Sequence, residues 1–178
     1  MIENMKKICI IGGSGTGKTT LTNNLEKKLK LPVCHIDGLN YSDNWVEKDR
    51  EERDKIILSK IKEDKWIIEG TYKTTLKERF EKAELIIYLD YSSIAQVKGV
   101  LGRFFKNHGQ EKPEIPGCKE RMSWEFLIWV WNWRKSKRQL VIDNLEGINK
   151  DKVIIFKNRR QLNKWYRKEF GEKIDTKA

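Results

Sequence analysis

The sequence predicts a doubly wound α/β domain on a five-stranded, mostly parallel sheet, and three observations carry that expectation. An apolar run over 7–11 leads directly into a glycine-rich turn and then a helical pattern. Four more short runs rich in Ile and Val, at 33–36, 65–68, 85–89 and 153–156, alternate with amphipathic or charged helical segments. Apolar strands separated by helices are the mark of a parallel sheet covered on both faces. The third observation is what closes these runs: Gly12, Asp37, Glu69 and Asp90 stand at the carboxyl ends, where open α/β sheets gather their ligands. At 178 residues the chain suits one domain over 1–178, with no internal repeat, low-complexity tract or flexible linker to divide it.

The first strand ends in Gly12-Gly13-Ser14-Gly15-Thr16-Gly17-Lys18-Thr19-Thr20, a GxxxxGKT pattern that opens a helix. Glycines at this spacing let successive backbone N–H groups converge on an anion, and the helix that follows aims its positive dipole end at the same place. The pattern implies ATP as ligand: the amides of 12–20 cradle the phosphates, Lys18 reaches the β and γ groups, and the Thr19 hydroxyl ligates Mg²⁺. The competing reading is an ordinary glycine-rich connection between strand and helix.

Asp37 follows the second strand and is a candidate to hold metal-bound water or an acceptor. The segment 38–64 then runs from Gly38-Leu39-Asn40-Tyr41 into a charged helix with Ile56, Ile57 and Ile61 as its apolar stripe, and reads as a substrate-side flap. In Trp66-Ile67-Ile68-Glu69-Gly70-Thr71-Tyr72 the acid at the strand end can orient a Mg²⁺-bound water or a nucleophilic hydroxyl, and the glycine admits a ligand close to the backbone. Thr19, Asp37 and Glu69 are therefore the expected metal-site residues, with an exposed strand-end carboxylate as the alternative for each acid. Asp90 reads as the N-cap region of the next helix and is left outside catalysis.

The segment 107–121 carries Pro113, Pro116, Gly109 and Gly117 amid mixed charge, so it is either a lid or a plain surface loop. Phosphoryl transfer must exclude water, which favours the lid. Beyond it, Trp124, Leu127, Ile128 and Trp131 share one helical face, and Phe126, Trp129, Val130 and Trp133 a second. That spacing predicts a helix buried on two sides rather than a base-stacking surface. Arg134 and Arg138 lie one turn apart on the same helix and are candidates to face the cleft, or else solvated positions.

The formal charge of +11 admits nucleic acid, an anionic surface or a phosphate-rich substrate pair. Most Lys and Arg alternate with Glu or Asp, as over 47–53, which is the pattern of solvated helix faces. Three cysteines without CxxC spacing read as reduced packing residues, and with no signal-peptide pattern the expected compartment is the cytoplasm. No run approaches the ~20 apolar residues of a membrane span. His35 and His108 have no partners at metal-ligand spacing and receive no metal role.

Taken together, these marks resemble the adenylate kinase and shikimate kinase group of small P-loop kinases. The resemblance is closest to bacterial DNA topology modulation proteins, through Ile10 to Leu21, His35-Ile36-Asp37, Trp66 to Tyr72, Ile86 to Asp90, Trp124 to Trp133 and Val153 to Arg159. It covers almost the whole chain. It implies that Arg103, in Leu101-Gly102-Arg103, neutralises charge on the transferring phosphoryl group, and that the loop with Asn158 and Arg159 meets the adenine. The chain departs from the kinase pattern at Gly99, where those proteins carry a second arginine.

The expected activity is transfer of the ATP γ-phosphoryl group to a small acceptor such as a nucleotide or nucleoside. Lys18, Glu69, Asp37, Arg103, Arg134 and Arg138 are the candidate catalytic residues, with ATP and Mg²⁺ as cofactors. The alternative is a nucleic-acid-associated regulatory ATPase. A GTP switch fits poorly, because Asn149-Lys150-Asp151-Lys152 has its acid one place too early for a guanine motif.

Overall fold

In the computed structural model, which describes residues 2–120 and 122–176, sixteen helices and strands follow one another. They are β1 (Lys7–Gly12), α1 (Lys18–Leu29), β2 (Val33–His35), α2 (Ile36–Asn40), β3 (Tyr41–Ser42), β4 (Val46–Glu47), α3 (Arg50–Lys60) and β5 (Trp66–Glu69). The second half comprises α4 (Leu76–Lys82), β6 (Leu85–Leu89), α5 (Ser93–Asn107), β7 (Glu111–Lys112), β8 (Ile115–Lys119), α6 (Trp124–Leu145), β9 (Val153–Phe156) and α7 (Arg159–Phe170). The predicted sheet is present: five strands in the order β2-β5-β1-β6-β9, all parallel.

Alternation along the strands divides the core. Ile8 and Ile10 pack with Leu21, Leu25, Leu162 and Tyr166 on the α1/α7 side, whereas Cys9 and Ile11 pack with Ile57, Phe80 and Val141 on the other. Each fully buried Ile or Leu contributes roughly 1.5–3 kcal/mol, so the central strands hold the frame on which the loops are mounted.

Four local expectations are corrected. The second strand stops at His35 and Ile36 begins a short helix, while the third runs 66–69 because Glu69 still pairs in register with Ile10. In the flap, the buried face of α3 is Arg53, Ile57 and Ile61, one residue every four, and Ile56 lies outside it at 37% exposure. The flap also contains the β3–β4 hairpin.

The segment 107–121 is a hairpin of β7 and β8 rather than a plain loop, although Arg121 lies outside the described residues. Ile115 and Cys118 are buried, the Cys118 thiol donates to the Ser42 carbonyl (3.1 Å), and the Trp45 indole donates to the Lys119 carbonyl (3.0 Å). The hairpin is therefore seated on the flap.

The Trp-rich helix is not buried on two sides. Ser123 caps α6, and only Val130, Trp133 and Val141 are buried along it, whereas Trp124 is 79% and Ile128 60% exposed. The helix packs on α5 and α4, which cover one stripe and leave the opposite face to solvent.

Candidate active site

Parallel register assembles the site. Pairing sets His35 beside Glu69 and Glu69 beside Ile10, so the loop after β1 starts next to both side chains at the carboxyl edge. The loop itself is shaped by glycine: Gly15 and Gly17 adopt φ of 76° and 89°, a region costly for other residues. The Thr71 hydroxyl pins the loop's first residue, accepting from the Gly12 amide and donating to the Gly12 carbonyl, both at 3.0 Å. Thr16 donates to the Gly13 carbonyl at 2.8 Å.

Glu69 is the hub. Its Oε2 accepts from Thr19 Oγ1 at 3.3 Å and lies 2.9 Å from His35 Nδ1, while Oε1 is 3.6 Å from Lys18 Nζ. Lys18 also donates to the Gly13 carbonyl at 3.2 Å. Burial alone would raise the Glu69 carboxyl, but the His35 hydrogen bond and the Lys18 charge outweigh it and hold the group below its ordinary range. Burial likewise opposes charge on His35, yet its hydrogen bond to Glu69 and that carboxylate's charge raise the imidazole above its usual value.

Asp37 stands across the same cleft and accepts from the Tyr72 hydroxyl at 2.7 Å. Burial first, and the Asp37 charge second, push the phenol far above its ordinary range, so it stays a donor. One cleft of about 1680 Å³ holds the loop 14–20, Asp37, Glu69, Tyr72, Arg103 and Arg159 together.

Arg103 is paired with Glu120 at 3.0 Å, and Lys112 from the hairpin joins the same buried carboxylate at 3.6 Å. Gly99 has a packing reason. A side chain there would start 2.0 Å from the Gly15 carbonyl, so α5 rests on the phosphate loop where a second arginine would stand.

Three expectations place residues elsewhere. Arg134 and Arg138 pair with Asp90 at 3.3 and 3.0 Å, joined by Lys157 at 2.5 Å, and neither arginine lines the cleft. Asp90 is thus the centre of a cationic cluster, and the cap of α5 is Ser92. Asn158 caps α7, accepting from the Gln161 amide at 3.0 Å, and leaves the cleft wall to Arg159. Sequence reasoning missed His35, Lys112 and Glu120; the signal for His35 was its place at the strand end, two residues before Asp37, which only the strand order turns into a contact with Glu69.

A family model described as an AAA domain matches residues 7–97, about half of the chain, spanning the phosphate loop, Asp37, Glu69 and Asp90. The chain belongs to this family. No curated protein matches the sequence. Among solved structures, shikimate kinase from Acinetobacter baumannii is similar over 98% of both chains at 15% identity, with a TM-score of 0.55. Shikimate kinase from Bacteroides thetaiotaomicron is similar over 94% of this chain and 99% of its own, at 15% identity and a TM-score of 0.52. A gluconokinase from Sinorhizobium meliloti is similar over 93% and 90%, at 12% identity and a TM-score of 0.51. These likenesses show the fold, that of P-loop proteins of the small-molecule kinase type. Among the described residues no helix is long and apolar enough to cross a membrane.

Proposed function

We propose that this protein transfers the γ-phosphoryl group of ATP to a small acceptor bound in the cleft beneath the flap and the hairpin seated on it. The observation that carries the reading is the single cleft in which Lys18, Thr19 and Glu69 touch one another and Asp37 faces them. The amides of 13–19 and Lys18 bind the β- and γ-phosphates. Arg103 offsets charge on the transferring group after exchanging Glu120 for it.

The donor set fits Mg²⁺. Thr19 Oγ1 and Glu69 Oε2 meet beside the loop, and no cluster of three or more His, Cys, Asp or Glu forms a cage among the described residues. Mg²⁺ favours such sparse sites, completing its shell with phosphate oxygens and water. Thr19 would hold it directly, and Glu69 and Asp37 through its waters. When bound, it neutralises charge on the phosphate oxygens.

In the reaction the acceptor oxygen forms a bond to the γ-phosphorus as the bond to the β,γ-bridging oxygen breaks. ADP leaves with the electron pair. The acceptor proton passes to the Asp37 carboxylate, which the hydrogen bond from Tyr72 holds in place. His35 keeps Glu69 oriented and ionised, and Arg159 lines the nucleoside end of the cleft.

The resemblance to DNA topology modulation proteins belongs to the same proposal, since of its marks Ser14 to Leu21, His35, Asp37 and Glu69 to Tyr72 line this cleft. The proposed compartment is the cytoplasm, and Cys9, Cys34 and Cys118 are free, buried thiols in keeping with it. The test is a screen of nucleosides, nucleotides and small alcohols for ATP-dependent phosphorylation. Wild-type protein is expected to phosphorylate at least one class, and Lys18→Ala none; turnover undiminished in the variant overturns the reading.

A further inference from the structure

The cleft is divided by charge. At the phosphate loop and beyond it, Lys18, Lys98, Lys106, Arg159, Arg167 and Lys173 line the wall, a field suited to a triphosphate. On the far side of Glu69 the wall is instead Asp37, Glu114, Tyr41, Trp45 and Tyr72, with Arg103, Lys112 and Glu120 joined beside them.

The cations at this acceptor end are already engaged by the protein. Arg53 binds Asp54 (2.8 Å), Asn40 and Thr74 and stacks over the Tyr72 ring at 4.7 Å. Arg79 is fully buried and donates to the Gly70 (2.7 Å) and Tyr72 (2.9 Å) carbonyls. Arg103 and Lys112 both pair with Glu120, Lys112 sits 5.1 Å over the Trp45 ring, and His35 is bound to Glu69. The two carboxylates have the opposite standing. Asp37 accepts a hydrogen bond from neutral Tyr72, and the Lys112 charge attracts both Asp37 and Glu114 without a direct ion pair to either among the described residues.

An acceptor with a phosphate or carboxylate would have to displace one of these bonds and then lie against the Asp37 and Glu114 carboxylates. Like charge at such range is a strong means of rejecting a ligand. The aromatic walls offer ring faces to C–H groups or to an amine.

Building on the kinase reading, we infer that the acceptor is a hydroxyl compound without an anionic group, an uncharged polyol or nucleoside or an amino alcohol. The phosphoryl-transfer step is the one already described, with the hydroxyl proton going to Asp37. Nucleotides and sugar acids are excluded as acceptors.

The experiment is calorimetric binding to protein saturated with Mg²⁺ and a non-hydrolysable ATP analogue, using matched probes: glucose, glucosamine, glucuronate and glucose 6-phosphate, and adenosine against AMP. Within each set the neutral or aminated probe is expected to bind on the order of tenfold or more tighter than its anionic partner. Glu114→Lys is expected to shrink that ratio by a similar factor. An anionic probe that binds as tightly or more tightly overturns the inference, as does a panel with no ranking by charge. Failure of the kinase reading is distinct from this. It would appear as the expected charge ranking without phosphoryl transfer to any member, whereas transfer to AMP would keep the kinase and discard the inference.

Discussion

The Asp90 side chain has no exposed surface, and three cations that are a third to a half exposed converge on it. Burial alone would raise its carboxyl, but the Lys157 and Arg138 hydrogen bonds hold it below its ordinary value of 3.8. A depressed carboxyl stabilises the fold fully above that ordinary value and ceases to do so as the pH falls through the lower folded one. Asp90→Asn is therefore expected to lower stability by about 1–2 kcal/mol at neutral pH, because the released cations can still find water. Urea unfolding should show that gap narrowing below pH 3.8; a gap independent of pH contradicts the ion-pair account. Asp90 and its two arginines were each visible in the chain, but their mutual contact spans 48 residues and depends on where α6 crosses the sheet. Glu69 was legible because an acid ends an apolar strand. Glu69→Gln keeps its size and removes the charge that His35, Lys18 and Thr19 share, so kcat should fall on the order of a hundredfold, with ATP affinity changed much less. Wild-type kcat in that variant would make the acid structural.

Among the elements, α5 carries the clearest consequence. Its Gly99 lies against Gly15, so Gly99→Arg is expected to push the phosphate loop aside instead of completing an arginine pair. Titration with a fluorescent ATP analogue should show affinity weakened tenfold or more, on the order of the cost of a forced backbone shift; a gain in kcat at unchanged affinity would show that the arginine is accommodated. The absence of that arginine was plain from the chain, yet its packing reason was not, because close approach between a helix and a loop leaves no periodic signal. The hairpin 111–119 raises a second expectation. It is bonded to the flap through Cys118 and Trp45, so both should close as one body, and a bisubstrate analogue should slow amide exchange in 41–47 and 111–119 together. Protection of the hairpin alone contradicts the coupling. Two prolines and two glycines announced a connection here and concealed the short strands within it.

Across the whole molecule, alternating apolar strands and helices made the layers legible, and the glycine pattern made the loop after the first strand legible. The strand order β2-β5-β1-β6-β9 was not written in any segment, and it alone sets His35 beside Glu69 and the flap across from the loop. The exposed Trp124 and Ile128 likewise follow from how far α6 extends past its neighbours, which periodicity cannot report. The charge of +11 becomes informative only once the cleft divides it, with most cations along the phosphate-loop end and Asp37 and Glu114 at the other. The central claim is that this cleft moves a phosphoryl group from ATP to an acceptor, and single-turnover chemistry with γ-labelled ATP tests it most directly. With wild-type protein, Mg²⁺ and the best-binding neutral hydroxyl probe, the label is expected to appear on the acceptor in amounts equal to the ADP formed, and Lys18→Ala to form neither. Label recovered only as inorganic phosphate, or equal label transfer by the variant, would contradict the account.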